Sequence, residues 1–115
     1  MSYYHHDEFA CKDYCGLNNA TPELIEMLER LCKLYGKKIT LNSVSRCSKH
    51  NAEIGGSPTS SHLKGLAADL SVLSSRERFK ILELMYLAGF KRIEVKNTWI
   101  HVDIDSAKDK EVLWL

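Results

Sequence analysis

Two histidines and one aspartate have the residue types and the spacing to hold a metal ion. His62 and Asp69 stand seven positions apart, with a glycine and small residues between them, and His101 follows further along the chain. Asp69 lies within an apolar run at 66–72, where burying a carboxylate is costly unless a partner compensates it. Two imidazoles and one carboxylate leave one coordination position open, which suits catalytic zinc. For His62 and Asp69 alone, the alternative is an exposed loop histidine and a capping or salt-bridged aspartate.

A strand is predicted around His101, and it explains how this histidine joins the other two residues. Apolar and polar residues alternate from Thr98 to Ile104, and successive side chains of a strand point to opposite faces of a sheet. The apolar residues of the alternation belong to the core. The opposite face carries Trp99, His101 and Asp103, so it borders a cleft into which His101 points.

Two helices with clear start and stop signals support these residues. The first begins at the capping residue Thr21 and ends at Gly36; the second begins at the capping box Ser74-x-x-Glu77 and ends at Gly89. Helical spacing predicts one buried stripe on each helix. The stripes are Leu24, Leu28, Leu31 and Tyr35 in the first helix, and Phe79, Leu82, Met85 and Tyr86, with Ile81 at the edge, in the second.

The remaining segments are predicted to be strands, one short helix and one loop. They are a strand at 38–44, a short helix within 45–54, a loop at 55–61, a buried strand at 66–72, a hairpin of 90–95 and 98–104 around Lys96-Asn97, and an edge strand at 111–115. This order of elements predicts an α+β domain with helices packed on a small, mainly antiparallel sheet. Because 115 residues is the usual size of one domain, we expect residues 1–115 to form a single unit.

Composition argues against several classes of function. A formal net charge of +1 gives no electrostatic reason to expect a nucleic-acid partner. No apolar run reaches the roughly 18 residues of a membrane-spanning helix, so no transmembrane segment is expected. The first residues are polar and include Asp7 and Glu8, unlike a signal peptide. Any export is therefore expected to use another route or a partner.

Four cysteines leave the redox state open. Cys11-x-x-x-Cys15 resembles half of a zinc knuckle, but the usual second pair is missing. Cys32 falls on the apolar face of the first helix and is interpreted as a small core residue. Cys47 has the option of a disulfide with Cys11 or Cys15. Because no signal peptide is recognised, we favour reduced thiols.

The combined motifs resemble the zinc peptidases of the M15 group. This group includes D-alanyl-D-alanine carboxypeptidases and phage-type peptidoglycan endopeptidases, and it shares its fold with the signalling domain of Hedgehog proteins. The resemblance covers most of the chain from about Phe9 onwards. The motifs that carry it are Ser60-x-His62-x-x-Gly65-x-Ala67-x-Asp69, Ile100-His101-Val102-Asp103, Ser43-x-x-Arg46 and Gly55-Gly56-Ser57-Pro58.

The resemblance implies one zinc ion per chain, bound by His62, Asp69 and His101, with water in the fourth position. It implies hydrolysis of peptidoglycan stem peptides at bonds next to D-amino acids. Arg46 is then the candidate for binding the substrate carboxylate or the developing oxyanion. Ser43 and Ser60 are further candidates for substrate binding. We expect a monomer, phage-encoded or made in the bacterial cytoplasm, that acts at the cell wall.

The general base has two candidates, Asp103 and Glu94. Several relatives have an acid three residues before the last zinc histidine, where this chain has Thr98, and Hedgehog-like members use a glutamate further upstream. A two-residue turn at Lys96-Asn97 pairs Glu94 with Trp99, on the face of His101 and diagonal to it. Phage-type members often have glycine at this position. Asp103 is the rival, either as the base or as a group that orients His101.

Two alternatives to a peptidase remain open at this stage. The first is a non-catalytic zinc domain that binds cell-wall fragments or a protein partner, which the Hedgehog relationship and the uncertain base favour. The second is a disulfide-stapled binding module without metal, suggested by the four cysteines. Neither carboxypeptidase nor endopeptidase action is preferred, because no motif reports whether the cleft is closed beyond Arg46.

Overall fold

A five-stranded sheet with helices against one face forms the architecture in the computed structural model, which describes residues 2–115. The helices are α1 (Pro22–Tyr35), α2 (Ser48–Glu53) and α3 (Ser75–Ala88); the strands are β1 (Leu41–Ser43), β2 (Ala67–Ser71), β3 (Arg92–Val95), β4 (Trp99–Asp103) and β5 (Val112–Trp114). Two 3₁₀ turns, His6–Phe9 and Ser61–Lys64, complete the set. This is the predicted α+β class.

The sheet has the strand order β1-β2-β4-β3-β5 and is antiparallel except for the β3–β5 pair. The central strands β2 and β4 pair along their full length, from Ala67 opposite Asp103 to Ser71 opposite Trp99. The tail forms an edge strand, as predicted, and runs parallel to β3. Strand β1 is shorter than the expected 38–44, because only residues 41–43 pair with β2.

Helix α1 has the predicted ends. The Thr21 hydroxyl accepts the Leu24 N–H at 3.3 Å, and Gly36 adopts the left-handed conformation that closes the last turn. Its buried residues share the core with the apolar side chains of the sheet, including Ile100 and Val102 of β4. The alternation predicted for β4 is therefore correct, and its polar face lies on the side away from α1 and α3.

Helix α3 has the predicted bounds but presents a different face to the core. Phe79 and Tyr86 are 74% and 55% exposed, whereas Ile81 is 1% exposed. The buried residues are Ile81, Leu84, Met85 and Ala88. The predicted stripe is correct for Met85 and wrong for Phe79 and Tyr86, because apolar residues surround this helix and two stripes satisfy helical spacing. The observed one includes the small Ala88, whose carbonyl accepts a hydrogen bond from Arg30 of α1 at 3.0 Å.

The β3–β4 hairpin has a different register from the predicted one. Lys96 N–H bonds the carbonyl of Trp99 at 3.0 Å, so the turn consists of Asn97 and Thr98 and not of Lys96 and Asn97. Glu94 therefore lies directly opposite His101 and not opposite Trp99. A shift of two residues leaves every side chain on its expected face, so Glu94 still shares the face of His101.

No helix within residues 2–115 combines the length and the apolar character that crossing a membrane would need.

Candidate metal centre

Three neighbouring elements bring the predicted ligands together. His62 lies on the 3₁₀ turn that follows the 55–61 loop, and Asp69 and His101 lie directly opposite each other on β2 and β4. Asp69 Oδ1 is 3.2 Å from His62 Nε2 and 2.9 Å from His101 Nδ1. One ligand atom from each residue lies within 4.8 Å of both others. The central strand pair therefore sets the separation of two of the three candidate ligands.

Both imidazole rings are held from behind by hydrogen-bond acceptors. His62 Nδ1 lies 2.8 Å from the carbonyl oxygen of Val44, and His101 Nε2 lies 2.8 Å from Asp103 Oδ2. Because these oxygens accept, each of the two ring nitrogens carries the donated hydrogen. In the neutral tautomers this leaves His62 Nε2 and His101 Nδ1 with lone pairs directed at the shared site. Such outer partners are the usual device for orienting a metal-binding histidine.

The observed donor set fits a zinc ion. In tetrahedral coordination with bonds of about 2.0–2.1 Å, neighbouring ligand atoms are about 3.3 Å apart, close to the two distances measured around Asp69 Oδ1. Two imidazole nitrogens and one carboxylate oxygen are ligands that zinc accepts. His62, Asp69 and His101 are all largely buried, with side chains at most 13% exposed, so a bound ion would be shielded from solvent on the protein side.

The electrostatics of the site favour positive charge between the carboxylates. Burial tends to raise the pKa of Asp69, but its hydrogen-bonded contacts with the His101 and His62 rings outweigh burial and hold that pKa well below its usual range. Burial tends to lower the pKa of His101, but its hydrogen bonds to Asp103 and Asp69 raise it to about 9. Two carboxylates directed at one imidazole thus create an environment that also suits a cation.

Arg46 lies beside the centre, where the sequence predicts it. Its Nη2 is 3.6 Å from Asp69 Oδ2 and 3.3 Å from the Ser43 hydroxyl, and its Nη1 donates to Asn51 at 3.2 Å. Ser43 is opposite Asp69 in the β1–β2 pairing. Arg46 is only 8% exposed, and its Nε has no partner in the described part of the chain. Burial lowers the pKa of Arg46, partly offset by Asp69.

Asp103 supports His101 and is itself fully engaged. One of its oxygens bonds His101, and the other accepts from Arg92 Nε at 2.7 Å and from the Asp105 N–H at 3.2 Å. Burial tends to raise the pKa of Asp103, but these bonds, led by that from His101, lower it. Asp103 is only 2% exposed, and both of its oxygens accept hydrogen bonds from the protein. Its geometry is that of a group that orients His101.

Glu94 has the accessibility that Asp103 lacks. It is opposite His101 in the β3–β4 pairing and lines the same cleft, and its side chain is 21% exposed. Its only charged partner in the structure described is Lys96, at 3.2 Å. A carboxylate with this degree of exposure is able to meet a substrate or a water molecule in the cleft.

The candidate ligands lie on the floor of a cleft of about 230 Å³. Ser60 lines it and also stabilises the turn that carries His62, because its hydroxyl accepts the His62 N–H at 3.3 Å. Trp114 forms one wall, with its ring 5.9 Å from that of His101. Six charged side chains contribute to the lining: Arg46, Asp69, Arg92, Glu94, Asp103 and Lys108.

Sequence reasoning missed three of these residues: Arg92, Lys108 and Trp114. Arg92 stacks on Trp114, with its guanidinium 5.0 Å from the ring centroid, and links that ring to Asp103. A signal existed for Arg92, which is two positions before Glu94 and therefore shares its face of β3. Trp114 gave no comparable signal, because the parallel pairing of the tail with β3 brings it to the site.

The comparison with protein families agrees with this geometry. The family model described as Peptidase M15 matches residues 2–103, a span that includes His62, Asp69 and His101. The chain belongs to the M15 peptidase family. The family inferred from the sequence motifs is thereby confirmed. No curated protein gives a significant match to the chain.

M15 membership supports a general function for the chain. The family consists of peptidases, and the buried His–Asp–His cluster in the cleft is a candidate metal-binding group. The 104–115 segment lies outside the matched span, yet it contributes Trp114 and Lys108 to the cleft. Part of the wall of the cleft is therefore built by residues outside the matched span.

Proposed function

We propose that this protein is a zinc-dependent peptidase that hydrolyses peptidoglycan stem peptides at bonds next to D-amino acids, by carboxypeptidase or endopeptidase action. One observation carries the proposal: the donor atoms of His62, Asp69 and His101 converge at the floor of an open cleft in an M15 chain. The substrate class follows from the resemblance of the motifs to enzymes of the cell wall. The protein acts there as a monomer.

His62 Nε2, Asp69 Oδ1 and His101 Nδ1 would hold the zinc ion. When bound, zinc supplies a Lewis acid that activates water and polarises the scissile carbonyl. The protein fixes the tautomer of each histidine. Val44 keeps the hydrogen of His62 on Nδ1, and Asp103 keeps that of His101 on Nε2, the nitrogens that face away from the site. The rings are therefore prepared to bind a cation without rotating.

Glu94 carries the proton in this mechanism. A base must take a proton from the attacking water and deliver it to the leaving amine. A carboxylate oxygen of Glu94 accepts that proton and returns it to the nitrogen of the broken peptide bond. Its position opposite His101 and its access to the cleft support this role over Asp103, whose oxygens are both occupied.

Arg46 binds the negative charge of the substrate. Its guanidinium is held by Ser43, Asn51 and Asp69 and lines the cleft. A positioned guanidinium binds a carboxylate or a developing oxyanion strongly when water is excluded. Arg46 therefore orients the peptide so that its carbonyl carbon is next to the candidate ligands.

Digestion of peptidoglycan tests the proposal. Zinc-loaded protein is incubated with purified muropeptides, and mass spectrometry identifies the products. We expect hydrolysis at a bond next to a D-amino acid, and loss of these products with Asp69→Ala. The His50→Ala variant is the matched control, because His50 lies on α2 away from the candidate ligands, and should retain activity.

Two results would contradict the proposal. One is unchanged cleavage by Asp69→Ala, which would mean that the His–Asp–His cluster is not the catalytic centre. The other is stoichiometric zinc binding with no turnover of any muropeptide, which would favour a binding domain. The product masses also separate carboxypeptidase from endopeptidase action, because only the former releases a single terminal amino acid.

A further inference from the structure

A second group of metal-binding side chains lies at the N-terminal arm, outside the cleft. It consists of Cys11, Asp13, Cys15 and Cys47, and one ligand atom from each lies within 4.8 Å of all the others. All four cysteines of the chain are free, and the fourth, Cys32, is buried in the core. Three thiols and a carboxylate from two distant parts of the chain therefore share one small volume.

Asp13 lies at the centre of this group. The Cys11 thiol donates to its Oδ1 at 3.2 Å, the Cys47 thiol donates to its Oδ2 at 3.1 Å, and the Cys15 N–H donates to Oδ1 at 3.0 Å. A disulfide would join only two of the three sulfurs and would not involve the third thiol or the carboxylate. A tetrahedral ion would use all four groups.

Two of the sulfurs also accept backbone hydrogen bonds. The Cys47 N–H donates to Cys11 Sγ at 3.4 Å, and the His50 N–H donates to Cys47 Sγ at 3.3 Å. Backbone N–H groups of this kind are the usual outer hydrogen-bond partners of metal-binding side chains. Cys11 and Cys47 therefore already have the outer hydrogen bonds expected around thiolate ligands.

The backbone that brings Cys15 to the group has a strained conformation. Tyr14 has φ 62° and Gly16 has φ 89°, so two left-handed residues flank Cys15. For tyrosine this conformation is disfavoured and persists only where surrounding contacts impose it. Tyr14 is 97% exposed, so its own side chain provides no such contact. The loop is held by the hydrogen bonds to Asp13 and by two backbone bonds, from the Cys11 N–H to Leu17 O at 2.8 Å and from the Tyr14 N–H to Cys11 O at 3.4 Å.

We propose that Cys11, Asp13, Cys15 and Cys47 form a second, structural zinc site that fastens the N-terminal arm to the loop bearing Arg46. Thiolate sulfurs select zinc over magnesium or calcium, and four protein ligands leave no open position for water, which is typical of a structural site. Each thiol that binds releases its proton to solvent. The site completes the half knuckle Cys11-x-x-x-Cys15 with a cysteine from a distant segment.

The position of Cys47 gives this site a consequence for the cleft. Cys47 follows Arg46 directly, and the preceding residue, Ser45, donates its N–H to Phe9 O at 3.0 Å and accepts the Asn19 N–H at 3.1 Å. Arm and loop are thus joined on both sides of Arg46. An ion at the cysteines would hold the backbone from which the guanidinium reaches Asp69.

Cobalt substitution gives a direct test, because sulfur-to-cobalt charge transfer absorbs in the near ultraviolet and a site of imidazoles and carboxylate produces no such band. We expect this band in the full chain and in His62→Ala, and its loss in Cys15→Ser. Cys15 is exposed, so this substitution leaves the core intact. The Cys32→Ser variant, which changes a thiol outside the group, is the matched control and should retain the band.

Zinc analysis under reducing conditions completes the experiment. We expect about two zinc ions per chain, and about one in either Cys15→Ser or His62→Ala. Absence of the sulfur band from the full chain would overturn the proposal, as would a disulfide among Cys11, Cys15 and Cys47 in protein isolated without oxygen. The His62→Ala variant separates this result from the peptidase proposal, since it removes the cleft site and leaves the cysteines unchanged.

Discussion

The two ligand clusters of this molecule are built in opposite ways. Asp69 and His101 lie on paired central strands, and the His62 ring is held by a hydrogen bond from its Nδ1 to the carbonyl oxygen of Val44. The cysteine group lies on an irregular arm and at the N-cap of the short helix α2, and its side-chain hydrogen bonds run mostly among its own members. In the first cluster the sheet positions the ligands; in the second, the ligands position the chain.

This difference teaches what each ion would do for the protein. A metal site positioned by a sheet loses little order when its ion leaves. Little of the ion's binding free energy is therefore spent on ordering the protein. A site on a strained loop spends that free energy on ordering the loop. The arm buries Phe9 and Tyr4, but residues 12–16 bury none of their side chains, so they have little apolar packing of their own.

Removal of metal should give the largest contrast between the two regions. With a chelator, we expect amide exchange at residues 11–18 to approach that of an unprotected loop, because their opening free energy falls toward about zero. Amides of β2 and β4 should keep their protection. Hydrogen exchange with mass spectrometry measures both. Equal loosening of the strands would show that the sheet does not preform its site.

Removal of the proton carrier should affect only the chemistry of the strand-built site. Glu94→Gln is expected to lower kcat by about 10²–10⁴-fold, since it removes general base catalysis while preserving size. KM and zinc content should stay unchanged. Lys96→Met is the control. It removes the ion-pair partner of Glu94, which is not a candidate ligand, and should lower kcat less. An active Glu94→Gln would assign the base elsewhere.

Weakening the support behind His101 should lower metal affinity at one site alone. In Asp103→Asn the ring loses its carboxylate partner at 2.8 Å. We expect a loss of about 10–100-fold in zinc affinity at the strand-built site, the usual effect of removing such a partner. Competition with a chelating dye measures it. The sulfur-to-cobalt band should keep its titration midpoint, and a shift of both sites would indicate a general loss of folding.

The last prediction concerns the stability of a contact that joins the two regions. Gly65 has φ 71°, and a Cβ there would lie 2.0 Å from the backbone oxygen of Asn19 in the arm. Gly55 has a similar φ of 74° with open space around it. Gly55→Ala should cost about 1–2 kcal/mol of unfolding free energy through strain alone. Gly65→Ala should cost about 2–5 kcal/mol of unfolding free energy, because the backbone must also move. Denaturant titration measures the unfolding free energy of both variants. Equal costs would contradict the predicted clash with Asn19.

Local signals predicted much of the fold and of the cleft. Thr21 and Gly36 mark α1 because capping depends on residues a few positions apart. The alternation in β4 correctly separated the face of His101 from the core. The buried face of α3 was predicted only in part. Apolar residues surround this helix, so only packing against α1 selects Ile81 over Phe79 as the buried residue.

Features that depend on distant pairing were not predictable in the same way. The turn of the hairpin at Asn97-Thr98 follows from β3–β4 pairing, for which the turn residues carry no strong preference. The cysteine group was not predicted as a ligand set, because its third cysteine, Cys47, belongs to another loop and was considered only as a disulfide partner. Its ligand set becomes recognisable only when the arm is seen against that loop.

The lining of the cleft has a consequence for how substrates arrive. Its charged side chains are balanced, with Arg46, Arg92 and Lys108 against Asp69, Glu94 and Asp103. A divalent ion bound by neutral histidines would leave an excess of two positive charges at the bottom of a depression that faces solvent. Such a field draws anions inward and is screened by salt. Peptides ending in a free carboxylate would therefore be captured fastest at low ionic strength.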